Sequence, residues 1–281
     1  MINSNSFLKF LKNINKSINS LLEKNLNKLN FNNLRNLSKN NIIILTFAAL
    51  IVLFISYLLL PTFYKQEDIS NKLKNELLNK FNLNFESSKD LNYNLFPKPH
   101  FATTDSVILD GQDEISKIKN IKIYISLANL FSLKDIEVKN LILENANFNF
   151  NKKNYNFFLK LLNNSYVDRS LKIKNSNIFF RDFNQEVLLI NKILDMKYYY
   201  DPKELKSIIY LENEIFNTPF SVEAYVDNDE KKIFSKLNIN FLKLQMVNEL
   251  SFKDKIKLGK SEFIFNKLKS KVNYKIKKNL F

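Results

Sequence analysis

From Ile42 to Leu60 the sequence IIILTFAALIVLFISYLLL contains no charged residue, and only Thr46, Ser56 and Tyr57 soften its apolar character. At about 1.5 Å per residue this run covers roughly 28 Å, the thickness of a bilayer's hydrocarbon core. A helix of a soluble core keeps one polar face, whereas this segment is apolar on every side until Pro61 stops it, so it predicts a transmembrane helix. It starts far from the N-terminus and is followed by Pro-Thr-Phe-Tyr instead of a small-x-small cleavage site, which predicts an uncleaved signal anchor.

On either side the apolar positions follow other periods. Before the span, Phe7, Leu11, Ile14, Ile18, Leu22, Leu26 and Leu29 recur every three or four residues with lysines between them, the pattern of a basic amphipathic helix suited to anionic headgroups. After it, Ile69, Leu73, Leu77 and Phe81 share one helical face, and Glu67 and Asp68 stand in the first turn, where the helix dipole favours acids. The period then changes to two. Leu91, Tyr93 and Leu95, then Ile121, Ile123 and Ile125, then Leu237, Ile239 and Phe241 alternate with Asn, Lys or Tyr, which predicts antiparallel strands with one dry and one wet face. NYNFFLKLLNN, from Asn154 to Asn164, is the one persuasive helical interruption.

Twice the alternation slips by one residue. Leu171 and Ile173 give way to Ile178 and Phe180 across Asn175-Ser176-Asn177, and Phe241 gives way to Leu242, Leu244 and Met246. A slip would turn the apolar set to the wrong face unless the strand bulges or breaks there, so both places predict bulges or breaks and a strongly curved sheet.

Composition narrows the function. With 45% apolar residues the chain can bury a core, and with no cysteine it holds neither a disulfide nor a thiolate nucleophile or ligand. The net charge of +15 is concentrated at the front: residues 1–40 carry +6, and the rest is spread thinly beyond residue 60. The lysines there alternate with aliphatics as water-facing strand residues do, and they form no basic-aromatic cluster of the kind nucleic acid requires. Lys24, Lys28, Arg35 and Lys39 precede the span and Lys65, Lys72, Lys74 and Lys80 follow it. The more distant Lys9, Lys12 and Lys16 tip the positive-inside rule toward a cytoplasmic N-terminus.

The corner LNYNLFPKPHFATTDSVIL holds Pro97, Pro99 and the chain's single histidine, His100. The prolines cannot donate to a ladder and force the residues before them to extend, so the segment reads as a strand end feeding a stiff connection. No second His or any Cys accompanies His100, so no zinc site is predicted. Ser106 and Asp105 lack the strained turn of a nucleophile. His100 is therefore read as structural. Asp110, Asp113 and Glu114, and likewise Asp227, Asp229 and Glu230, fall between strand patterns where solvated turns are expected. Gly111 and Gly259 stand alone, which rules out a glycine-rich phosphate cradle. No cofactor, metal or catalytic residue is predicted.

The order of these phrases resembles the start of AsmA-family proteins. In that family an N-terminal anchor and a first helix precede a phrase to which NLFPKPHFATTDSVIL is similar. IKIYISLANLFSLKDIEVKNLILENANFNF, NYNFFLKLL and LKIKNSNIFFRD then resemble the sequel in the same order. Tyr155 or Phe157 stands where members usually have Trp. The resemblance spans about residues 42–225. It implies a single-pass bacterial inner-membrane protein with a periplasmic antiparallel sheet bent into a trough, of the bridge-like lipid-transfer type and linked to outer-membrane biogenesis. Alternation alone fits a closed sandwich equally well.

The expected fold is thus membrane-anchored α+β and mostly antiparallel β, with one N-terminal transmembrane helix, then a strongly curved, trough-like sheet with a few short helices. Its expected parts are a cytoplasmic basic amphipathic segment (1–40), a signal anchor (41–60) and a periplasmic β-rich AsmA-like domain (61–281). The expected function is to bind or move phospholipid along a hydrophobic groove, with Ile121, Ile123, Ile125, Leu237, Ile239 and Phe241 as groove residues. The expected partners are membrane phospholipids, the inner membrane and envelope proteins, and not nucleic acid. The alternative is a non-transporting envelope scaffold that recruits assembly factors.

Overall fold

The computed structural model describes residues 39–162, 168–227, 230–252 and 257–276. The basic amphipathic segment expected between Phe7 and Leu29 lies outside them. The chain divides into two compact units, Met1–Ser56 and Tyr57–Phe281.

In the first unit the described residues form helix α1, Lys39–Leu59, whose last turn belongs to the second unit. Its apolar side chains, Phe47 and Leu53 among them, are exposed all round. Among the described residues, Ile44–Phe63 is the one helical stretch long and apolar enough to cross a membrane.

The second unit begins with the end of α1 and a 3₁₀ turn, Leu60–Phe63, and then forms helix α2, Gln66–Phe81. All thirteen strands of the described residues belong to one sheet. They are β1 (Asn84–Ser87), β2 (Asn92–Asn94), β3 (His100–Asp110), β4 (Asp113–Ile125) and β5 (Val138–Phe150). After helix α3 (Tyr155–Leu162) come β6 (Ser170–Arg181), β7 (Val187–Asp201), β8 (Lys206–Ile215), β9 (Thr218–Asp227) and β10 (Lys232–Ile239). The last three are β11 (Leu244–Ser251), β12 (Lys257–Phe265) and β13 (Leu268–Ile276). The order is β1-β3-β4 and onward in sequence to β13, with β2 on the other half of β3. The sheet is open, since its end strands β1 and β13 do not pair with each other. Every pair is antiparallel except β5–β6. There the crossover through α3 returns the chain to the end where β5 began, as a parallel pair requires.

Helix α2 forms where the period of 3.6 is clearest. Ile69, Leu73, Leu77 and Phe81 are all buried, and the helix lies against β1, β5 and the 3₁₀ turn Leu133–Asp135. Asn82 ends it in the left-handed region at φ 54°, and the Leu83 N–H returns to the Leu77 carbonyl at 3.1 Å. The buried side chains of α2 share one core with Phe85, Phe101, Ile123, Leu141 and Leu171. Phe157 and Leu161 of α3 join that core, and Phe158 meets the ring of Phe148 edge-on.

A crease crosses the sheet from β3 to β7. In β3 the buried positions change from Phe101 and Thr103 to Ser106 and Ile108, in β5 from Leu141 and Leu143 to Ala146 and Phe148, and in β6 from Leu171 and Ile173 to Ser176. The skipped residues Asp105, Asn145 and Asn175 have φ of 54°, 56° and 47°, a region that Asn and Asp tolerate best among side-chain-bearing residues. β4 and β7 shift at Lys119 and Leu194, so neighbouring strands take the extra residue together and their register survives. The row ends against β8, where Ile193 pairs with Asn213 and Asp195 with Glu212, leaving Leu194 over as a bulge. The slip read from Asn175 is one member of this row. The slip after Phe241 is a chain reversal, the 3₁₀ turn Asn240–Leu242 closed by Lys243 at φ 51°.

Two outcomes follow. Asn145→Gly should leave the denaturation midpoint of the detergent-solubilised protein nearly unchanged. Asn145→Val should lower stability by about 1–2 kcal/mol, because a β-branched side chain resists positive φ. Tyr93 donates its hydroxyl to the Leu58 carbonyl at 2.6 Å, and burial pushes its phenol up to about 12. The unfolded chain loses this proton first, near pH ~10, so the contribution of Tyr93 to stability is complete below that pH and is lost as pH rises toward 12. Phenolate absorbance should show a late-titrating tyrosine near pH 12 that Tyr93→Phe removes.

Candidate functional site: an open apolar face

Because the strands keep their register, their inward side chains line up in rows across the sheet. One row reads Thr103, Ile121, Leu143, Ile173, Met196, Leu211, Val222, Leu237, Met246, Phe263 and Ser270, each paired with the next. Only its two ends are polar. Its first half, as far as Met196, is buried, while from Leu211 onward the side chains are half-buried or exposed. The difference lies in what covers them. The core shared with α2 and α3 stops at β7, with Ile209 and Leu211 packed on its margin. Over β8–β13 the described residues contain no α-helix, and none of their elements forms a lid over the dry face.

The outer face of the same strands is built for water. Lys192 pairs with Glu214 at 3.6 Å, Lys232 with Glu249 at 3.2 Å and Lys269 with Glu262. Two lysines beside the Glu262 carboxyl hold it below the usual carboxylate range, with the hydrogen bond from Lys269 the larger cause. Along the crease, Asp105, Lys117, Lys119, Asn145 and Asn175 line a polar depression of about 590 Å³.

The inner face beyond β8 also carries a polar band. The next row runs Ile209, Ala224, Ser235, Asn248, Ser261, Val272. The Asn248 Oδ1 accepts hydrogen bonds from the Ser261 hydroxyl at 2.8 Å and the Tyr274 hydroxyl at 2.6 Å. Tyr274 reaches it by lying over Gly259, where an added Cβ would stand 2.0 Å from the ring. At the margin of the covered half, the side-chain oxygens Oδ1 of Asn191 and Asn213 are buried without a hydrogen-bond partner.

The six residues expected to line a groove fall in different places. Ile121, Ile123 and Ile125 are buried in the core shared with α2. Leu237 and Ile239 lie on the open face, half-buried. Phe241 is in the turn after β10, 81% exposed and off the ladder. Ile121 and Leu237 share one row, but strands β5–β9 separate them. Leu211, Val222, Met246 and Phe263 complete the open row. Each sits in a locally alternating stretch, but only the register shows that they align.

The histidine corner carries no such row. His100 Nδ1–H donates to the Lys98 carbonyl at 2.8 Å, and its ring stacks on Tyr124 with centroids 4.9 Å apart. Ser106 is six residues along the strand, roughly 20 Å away, and Asp105 pairs with Lys89 at 2.7 Å. The Lys89 ammonium holds the Asp105 carboxyl below its ordinary range. Asp227 caps its own turn by accepting the Glu230 N–H at 2.8 Å. Asp229 lies outside the described residues. Among the described residues no group of three or more His, Asp or Glu is placed to hold a metal ion.

Gly259→Ala should push the Tyr274 ring off its seat and free the Asn248 side chain. Amide exchange across β12 and β13 should accelerate by roughly three- to tenfold, which corresponds to losing one net hydrogen bond of about 1 kcal/mol. Tyr274→Phe should give most of the same change without displacing the ring.

The chain matches no family model and no curated protein.

Proposed function

We propose that the chain is a membrane-anchored lipid-binding protein of AsmA-like type, in which the open apolar face of β8–β13 holds the acyl chains of phospholipids. The observation that carries this reading is the row Leu211, Val222, Leu237, Met246, Phe263, dry along its length and continuous with the core, yet left without a covering element among the described residues. Each acyl methylene buried there gains roughly 0.8 kcal/mol, so binding needs no covalent chemistry, and the reading assigns no catalysis. Six strands at about 4.8 Å spacing give a lane of roughly 24 Å, longer than the ~15 Å that one leaflet's chains occupy. The resemblance described above supports an inner-membrane anchor, a periplasmic sheet and a part in outer-membrane biogenesis, and the distant lysines before α1 support a cytoplasmic N-terminus.

A scaffold that recruits other envelope proteins is the second reading, and one feature favours it. Alternate hairpins of an antiparallel sheet turn at the same end, and three such turns carry Phe183, Phe216 and Phe241, each more than four-fifths exposed. Aromatic tips of this kind suit docking to a protein partner.

A photo-crosslinking residue at Leu237 or Met246 should capture phospholipid in cells, and one at Lys236, on the wet face, should not. Leu237→Asp should stay folded and lose co-purifying lipid. Ile123→Asp should fail to fold, because it leaves an unpaired charge in the closed core at a cost of several kcal/mol. Capture of protein in place of lipid at Leu237 and Met246, with strong protein crosslinks at Phe216 and Phe241, would favour the scaffold.

A further inference from the structure

The base of the sheet carries a second apolar surface, in loops that grip the end of α1. Tyr57 lies within the membrane-spanning stretch Ile44–Phe63. Its hydroxyl donates to the Leu127 carbonyl at 2.7 Å and accepts the Leu130 N–H at 3.1 Å, while its ring meets that of Phe131 with centroids 5.1 Å apart. Tyr93 donates to the Leu58 carbonyl at 2.6 Å, and Tyr64 to the Leu130 carbonyl at 2.7 Å. A helix leaves its last four carbonyls without intrahelical partners, and one of these is answered by a side chain from the sheet.

The contacts fix depth. Tyr57 precedes Leu60 by three residues, about 4.5 Å of rise, so whatever touches Tyr57 is level with the outer turns of the span. Around this grip the apolar side chains face outward: Phe63 is 81% exposed, Phe96 86% and Phe131 76%, with Leu127 partly exposed beside them. Phe96 stands at the tip of the proline corner, three residues after Tyr93. Lys65, Lys98 and Lys134 are exposed among them, as are Glu67, Asp68 and Asp135, a mixture that fits the headgroup region better than the hydrocarbon core. Aromatic residues with nearby lysines are the composition of a membrane–water interface.

We infer that the 126–136 loop and the 95–99 corner are seated in the interfacial layer of the bilayer that holds α1, with Phe63, Phe96 and Phe131 inserted among the lipids. The partner is the lipid surface itself. The inference rests on α1 spanning a membrane, as proposed above. The domain is then bolted to the bilayer at its first strands, and the proline corner is the stiff mount for one of the inserted rings.

The chain has no cysteine, so single cysteines report one site each. Nitroxide labels at Phe96→Cys and Phe131→Cys in the full chain, reconstituted in phosphatidylethanolamine–phosphatidylglycerol vesicles, should be accessible to oxygen and shielded at least fivefold from a water-soluble nickel chelate. The reference is Phe216→Cys, equally exposed but in a hairpin at the other end of the strands. Nickel access at residues 96 and 131 equal to that at 216, while a label at Leu50→Cys stays shielded, would overturn the inference and leave the anchor intact. Nickel access at residue 50 would overturn the anchor, and this inference with it.

Discussion

One sheet with a dry inner face wider than its helices is the constraint on which the rest of the structure depends. Apolar alternation runs from β3 to β13 within one hydrogen-bonded sheet, but α2 and α3 contribute buried side chains only to the core that ends at β7. Burial of about 25 cal/mol per Å² of apolar surface drives the covered half together, and the same physics leaves the uncovered half with surface that water solvates poorly. A second sheet would close a sandwich, and pairing β1 with β13 would close a barrel. Among the described residues neither occurs, so the open half stays uncovered by them while the covered half holds the fold.

The covered half is also where the chain is best clamped. The hydroxyls of Tyr57, Tyr64 and Tyr93 tie the end of α1 to loops at the base of β2–β5. Glu76 of α2 reaches the Val138 N–H at 3.4 Å while pairing with Lys72. These ties all lie at the first strands of the sheet and its covered half.

Much of this is legible in the sequence, and the gaps have physical causes. Ile69, Leu73, Leu77 and Phe81 announce α2 because one face repeats at the helical period. The slip at Asn175 is visible because Leu171 and Ile173 lie on one side and Ile178 and Phe180 on the other. Its companions at Asp105 and Asn145 are hidden, since the inward residues just past them, Ser106 and Ala146, are too polar or too small to mark a phase, and the one at Lys119 is blurred because Ile115, Ser116 and Ile118 are all buried and keep no single parity. The parallel pairing of β5 and β6 leaves no trace in alternation, which is blind to strand direction. Ile121 and Leu237 look alike in sequence because a period of two reports a dry side and says nothing of its cover. Met246 and Phe263 could be placed beside Leu237 only once the register was known.

The crease constrains how such a protein can change over time. A deletion of Asn145 alone would reverse inside and outside for the whole far half of β5, exposing Phe148 and driving Asn147 inward, while β4 and β6 kept their own phase. A single-residue deletion in any strand from β3 to β7 is thus incompatible with its neighbours, although each is a small edit by itself. The five extra residues can be kept together or lost together, but not traded one at a time. In related chains these five columns should behave as one inherited character closed to gaps, with exchange among Asn, Asp and Gly tolerated at the three positive-φ members, Asp105, Asn145 and Asn175.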